Sequence, residues 1–105
     1  MPWTSTSPAV LRVAGELDLA TAPGLTCEAE DVLADHVDTL VLDLRAVELM
    51  DSSGAGGLLA IRRRCQRAGA LLVLVVGDGP VRRLLERLGL DQVFHVVEPG
   101  SVAAR

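Results

Sequence analysis

Residues 49–59 read L-M-D-S-S-G-A-G-G-L-L, between the apolar run T-L-V-L-D-L and an arginine-rich segment. One acid (Asp51), two hydroxyls (Ser52 and Ser53) and three glycines (Gly54, Gly56 and Gly57) stand close together there. Such a set could serve nucleophilic catalysis, phosphate binding or acceptance of a phosphoryl group. A hydrolase elbow needs G-x-S-x-G, but Asp51 and Ala55 hold the glycine positions around Ser53. A phosphate-binding P-loop ends in Gly-Lys-Ser/Thr, and the chain contains no lysine. A dinucleotide fingerprint G-x-G-x-x-G is met by Gly54 and Gly56 and broken by Leu59. Neither His36 nor His95 has neighbours that suggest a triad, and no His, Cys or Asp spacing resembles a metal site. The residues argue against catalysis by this chain.

Two readings of the serines stay open. Asp and Ser are favoured helix N-caps, and glycine allows a tight turn with close helix–sheet packing. One cap would suffice, however, and capping does not account for two serines beside an acid. A hydroxyl at a helix start is also a workable phosphoacceptor, because the first N–H groups and the helix dipole favour negative charge. Phosphate adds about −1.5 to −2 charges, which would repel an acidic or apolar partner surface.

The elements that must position these residues follow from periodicity. Ala9–Val13 predicts a strand, and G-E-L-D at 15–18 a turn or bulge into a second short strand. Thr21, Pro23 and Gly24 announce an amphipathic helix carrying Leu25, Ala29, Val32, Leu33 and His36, ending near Val37. Thr39–Leu44 is nearly continuous apolar sequence, as in a strand covered on both faces. Ala55, Leu58, Leu59, Ile61 and Cys65 mark the buried side of a second helix, with Arg62, Arg63, Arg64 and Arg67 mostly opposite as a solvated face. Leu71–Val76 predicts a buried strand. Val81, Leu84, Leu85 and Leu88 predict a third helix stopped by Gly89, and Val93–Val97 a last strand. Strands alternating with helices define an α/β fold with a mixed, mostly parallel sheet of about four to five strands.

Composition bounds the rest. The chain has 105 residues, half of them hydrophobic, and a net charge of −4. That implies a single domain over 1–105 with its core at 9–97, an arm at 1–8 that Trp3 could dock on the core, and a loose tail at 98–105. The acidic balance argues against direct nucleic-acid binding. No apolar run reaches membrane-span length and the start is unlike a signal peptide, so the expectation is a cytoplasmic domain with no membrane contact. Cys27 and Cys65 match no ligand pattern and read as small buried hydrophobes. Asp43, inside an apolar strand, needs a partner if it is buried.

In order and spacing, the pieces V-A-G-E-L-D-L-A-T-A-P (13–23), L-V-L-D-L (40–44) and M-D-S-S-G-A-G-G-L-L (50–59) resemble those of the STAS-domain anti-sigma factor antagonists. The later segments A-L-L-V-L-V-V-G and V-R-R-L-L-E-R-L-G-L match in style, so the resemblance runs from about Ala9 to Val97. It implies that Ser53, the hydroxyl residue before the motif glycine, is phosphorylated by an anti-sigma factor with serine kinase activity. Asp18, Asp51, Ser52, Gly54, Ala55, Gly56 and Gly57 would form the surrounding loop and partner surface. The unphosphorylated form would bind the anti-sigma factor and free sigma, and a PP2C-type phosphatase would restore it. ATP and magnesium would belong to the kinase, leaving this chain without a cofactor. The sequence departs from the family at Leu49, commonly Phe, and at Ala55, commonly Leu, which bears on affinity and partner choice. Two other functions fit the same residues: a STAS scaffold in a stress-signalling complex, and an α/β domain that binds a nucleotide or small molecule at the glycine turn.

Overall fold

The computed structural model describes residues 8–100. Along the chain lie β1 (Ala9–Leu17), α1 (Ala22–Leu33), β2 (Thr39–Met50), α2 (Ser52–Ala68), β3 (Leu71–Val75), α3 (Pro80–Arg87), a single 3-10 turn (Leu90–Gln92) and β4 (His95–Val97). The strands pair in the order β1-β2-β3-β4, every pair parallel. The sheet of the described residues is therefore wholly parallel rather than mixed. Trp3 and the arm and tail expectations for residues 1–7 and 101–105 lie outside the described residues.

Strand order that follows chain order has a geometric consequence. Parallel crossovers share one hand, so successive connections that advance the same way lay their helices on the same face of the sheet. Burial agrees. Leu40, Leu42 and Leu44 of β2 and Leu72 and Leu74 of β3 join one core with Leu25 and Ala29 of α1, Leu58, Ile61 and Cys65 of α2, and Val81 and Leu85 of α3. Val41, Val73 and Val75 point to the opposite face and form a second, smaller buried cluster. Both faces of the central strands are thus buried, as their unbroken apolar sequence requires. No helix of the described residues is long and apolar enough to cross a membrane.

Four local expectations change. G-E-L-D does not open a second strand: β1 runs on through it to Leu17, with register shifts at 12–14 and 15–16 and Gly15 at φ +80° absorbing the irregularity. The first helix stops at Leu33 instead of Val37, and His36 takes φ +59° in the turn beyond it. β2 extends six residues past Leu44, up to Met50, because Val47 and Met50 continue the buried contacts. The last strand starts at His95, since the 3-10 turn takes the preceding residues and Phe94 N–H bonds to Leu90 O at 3.0 Å.

The cysteines divide. Cys65 is buried in the core and burial pushes its thiol pKa up, whereas Cys27 is exposed. Leu25, Ala29 and Leu33 recur every fourth residue toward the core, so Cys27, midway between the first two, turns outward. Of the α2 arginines, Arg63 and Arg67 are exposed, while Arg64 bridges to Glu30 of α1 and so ties the two helices together.

Asp43 is buried and has its partner. Its Oδ1 accepts Arg45 Nε–H at 2.9 Å and Arg45 N–H at 3.1 Å, and its Oδ2 accepts Nη2–H at 2.6 Å. These bonds hold the Asp43 carboxyl below its ordinary pKa of 3.8, against the opposing effect of burial. A lowered folded-state pKa means that the stabilisation is complete above the ordinary value and lost as pH falls through the lowered one. Asp43→Asn should therefore be less stable than wild type near neutrality, with the gap narrowing by about pH 3. Urea midpoints at both ends of that range check this, and a gap independent of pH would rule out the ionised carboxylate as its source.

Candidate functional site

The ends of β1 and β2 and the start of α2 meet at one backbone atom, the carbonyl oxygen of Leu17, the last residue of β1. Leu17 pairs in register with Met50, the last residue of β2, and both side chains are buried. Asp51 N–H points to Leu17 O at 3.4 Å. Gly54, in the first turn of α2, lies so close that a Cβ there would sit 2.2 Å from the same oxygen and 2.9 Å from Met50 Cγ. No real Cβ tolerates such an approach, so Gly54 has to be glycine. The G-E-L-D and D-S-S-G segments are thus two halves of one joint, which is why each needs the other.

The first half is braced by Asp18. Its Oδ1 accepts Ala20 N–H at 3.0 Å and Thr21 N–H at 3.1 Å, and its own N–H donates to Thr21 Oγ1 at 2.9 Å. Thr21 O–H in turn donates to Glu16 O at 2.8 Å. Asp18 is therefore the organiser of the β1–α1 turn, as Asp residues often are at such places. That turn leads into α1, whose Ala22 packs against Gly57: a Cβ on Gly57 would stand 2.9 Å from Ala22 Cβ.

The second half resolves part of the ambiguity over the serines. Asp51, in extended conformation, is the N-cap of α2, and its Oδ1 accepts Gly54 N–H at 3.0 Å. Capping is thus done by the acid, and neither serine is needed for it. Ser52 and Ser53 are the first two helical residues, Ser52 exposed and Ser53 half-buried. The N–H groups of a helix's opening residues have no intrahelical acceptor and carry the positive end of its dipole. A hydroxyl set among them can carry an anionic group without cost to the helix.

The three glycines are not alike. Gly54 and Gly57 make room for Leu17 and Ala22, both parts of the same chain. Gly56 is exposed, and a Cβ on it would meet nothing within 4 Å. Ala55 is buried, so the departure from a larger family residue lies in the core contact beneath the loop. Leu49 is 54% exposed at the end of β2, and Leu19, in the Asp18 turn, is 76% exposed. Leu19 was missed in the sequence, although an uncompensated leucine between the acid and the helix start was a visible signal. The Leu17 carbonyl could not be seen there at all, being a backbone atom.

The glycines do not shape a phosphate cradle, since the space at Gly54 and Gly57 is taken by Leu17 and Ala22. Nothing in the loop favours the nucleotide-binding reading. Among the described residues, no three His, Cys, Asp or Glu side chains are grouped to hold a metal ion.

A parallel α/β sheet whose first strand ends in G-E-L-D, joined to a D-S-S-G helix start, defines a STAS domain. The family model for that domain matches residues 4–100, and the chain belongs to the STAS domain family. It is similar to the anti-sigma-F factor antagonist RsfB of Mycobacterium tuberculosis, 36% identical over 88 residues that cover 84% of this chain and 71% of the relative. It is also similar to the anti-sigma-B factor antagonist of Staphylococcus aureus, 32% identical over 93 residues, covering 88% and 85% of the two chains. Among solved structures, an anti-sigma factor antagonist from Mycobacterium paratuberculosis superposes with a TM-score of 0.79 at 33% identity, covering 92% of this chain and 81% of that one.

Proposed function

We propose that this chain is an anti-sigma factor antagonist controlled by phosphorylation of Ser53. The relatives reported above bear that name, and they align with this chain over most of its length. The observation that carries the phosphorylation is the cap. Because Asp51 satisfies Gly54 N–H, the Ser53 hydroxyl has no capping task and stands at a helix start suited to an anion.

In this reading, the unphosphorylated surface binds a serine-kinase-type anti-sigma factor in the cytoplasm and displaces its sigma factor. The kinase, with its own ATP and Mg2+, then transfers a phosphoryl group to Ser53 Oγ. The hydroxyl proton is lost and ADP leaves. The new dianion must then be stripped of water to fit the old contact, so the complex separates. A PP2C-type phosphatase hydrolyses the ester and returns the chain to its binding form. The chain is ligand and substrate here, not an enzyme.

The test is phosphopeptide mapping after incubation with ATP, Mg2+ and each kinase-type anti-sigma factor encoded in the same genome. Phosphate is expected on Ser53, from one kinase, and not on Ser52. No phosphate from any kinase shown to be active, with the chain folded, would defeat the phosphorylation and favour a scaffold role.

A further inference from the structure

A cavity of about 200 Å³ lies at the end of the sheet opposite Ser53, between the second half of α2 and the first residues of β3 and β4. The strands of a parallel sheet all start at that end, whereas Ser53 follows the finish of β2. The inner wall of the cavity is apolar, since Cys65, Leu72 and Phe94 are all buried. Leu71 and Val93 also line it, yet are 51% and 41% exposed, so apolar surface continues out to its mouth.

The polar side chains on it are of one kind. Arg62, Gln66 and His95 can each donate hydrogen bonds, and no acid stands among the described residues that line the cavity. Two other half-buried arginines of the helices are committed within the fold, Arg64 to Glu30 and Arg82 to the Val76 and Gly77 carbonyls. Arg62, also half-buried, borders the cavity instead. The end of α2 works against an anion here, because helix carbonyls gather there. Two of them are engaged: Cys65 O accepts Ala70 N–H at 2.8 Å and Gln66 O accepts Gly69 N–H at 3.2 Å. The full charge of the guanidinium outweighs the partial charge that is left.

We propose that this cavity binds a small organic acid, its carboxylate paired with Arg62 and its apolar body laid against Leu72 and Phe94. Size sets the class. A dry cavity of about 150 Å³ lined by aliphatic and phenylalanine side chains takes up benzene, so the space here suits one ring or a short chain bearing a carboxylate. A nucleotide would not fit. Arg62 stands about 13 Å along α2 from Ser53 by helical rise, so the site is separate from the serines and independent of the function proposed above.

The experiment titrates the full chain with benzoate and with benzamide, its uncharged counterpart, and follows backbone amide NMR shifts. Benzoate should saturate with a Kd of about 10 mM or tighter, moving the signals of Arg62, Cys65, Leu72 and His95 and leaving those of Ser52 to Gly57 in place. Benzamide should bind at least about tenfold more weakly. So should benzoate to Arg62→Gln, which keeps a donor and loses the charge, and whose urea midpoint should match that of wild type. A weaker benzoate Kd, or shifts that do not saturate, would overturn the proposal. Equal affinity for benzoate and benzamide would overturn it too, because the cavity would then select by shape alone. That comparison needs no variant, so it decides the matter even if Arg62→Gln fails to fold.

Discussion

Ser53→Asp should bind the anti-sigma factor roughly thirtyfold or more weakly than wild type, while Ser53→Ala should bind at least as tightly and no longer be released by ATP. The expected loss corresponds to about 2 kcal/mol, the lower end of what burying an uncompensated charge in a protein contact costs. Ser53 is half-buried, so a carboxylate there cannot swing wholly into water when a partner covers the helix start. The variant should not lose its fold. An acid in the first turn of a helix interacts favourably with the dipole, typically by about 0.3–1 kcal/mol, so Ser53→Asp should unfold at an unchanged or slightly higher urea concentration. Calorimetric titration of both variants against the partner reads the affinity, and urea unfolding of the same preparations reads the stability. Equal affinities for Ser53→Asp and Ser53→Ala would show that charge at this position does not control the contact.

The largest effect on stability is expected at Gly54. A methyl group there would lie 2.2 Å from the Leu17 carbonyl oxygen, and a backbone atom held at the end of a strand cannot swing aside as a side-chain tip can. Either α2 lifts from the sheet or β1 loses its pairing with the end of β2. Overpacking in a core costs about 1–3 kcal/mol, and more where backbone must move, so Gly54→Ala should be destabilised by at least about 3 kcal/mol. For a domain of this size, that is a fall in melting temperature of roughly 12 °C or more. Gly54→Ala and Gly56→Ala make the same chemical change two residues apart and should move stability in opposite directions, since alanine suits a helix interior better than glycine wherever its Cβ has room. Thermal unfolding followed by circular dichroism decides it, and a Gly54→Ala protein with the wild-type melting temperature would mean that the joint has slack.

The sequence disclosed much of this arrangement, and the reasons are specific. The helices were legible because Leu25 and Ala29, or Leu58, Ile61 and Cys65, recur at helical spacing. The central strands were legible because Leu40–Leu44 and Leu72–Val76 bury both faces. Boundaries were harder. Nothing in R-A-V-E-L-M shows that β2 continues to Met50, since Arg45, Ala46, Glu48 and Leu49 are exposed and only Val47 and Met50 return to the core. Cys27 looked apolar enough to be buried, and its outward turn depends on where the helix places Leu25 and Ala29. At the site, the serines, the acid and the glycines could all be picked out. Their separate tasks could not, because which residue caps the helix and which glycine touches its neighbours depends on through-space distances. The fork between Asp43 and Arg45 was half-visible: an acid in an apolar strand called for a partner, and one stood two residues along, on the same face.

The joint at the Leu17 carbonyl also bears on whether the loop is portable. Residues 50–57 make a compact cassette on paper, and one could imagine grafting them onto any strand–helix junction to install the serine proposed above as phosphoacceptor. The host would then lack the strand end on which Gly54 rests and the alanine against which Gly57 closes. The transplanted glycines would face empty space, and the serine would ride on a loosened turn. What could be moved between proteins is the pair of segments, 15–22 with 50–57, together with the two neighbouring strands that hold them in register.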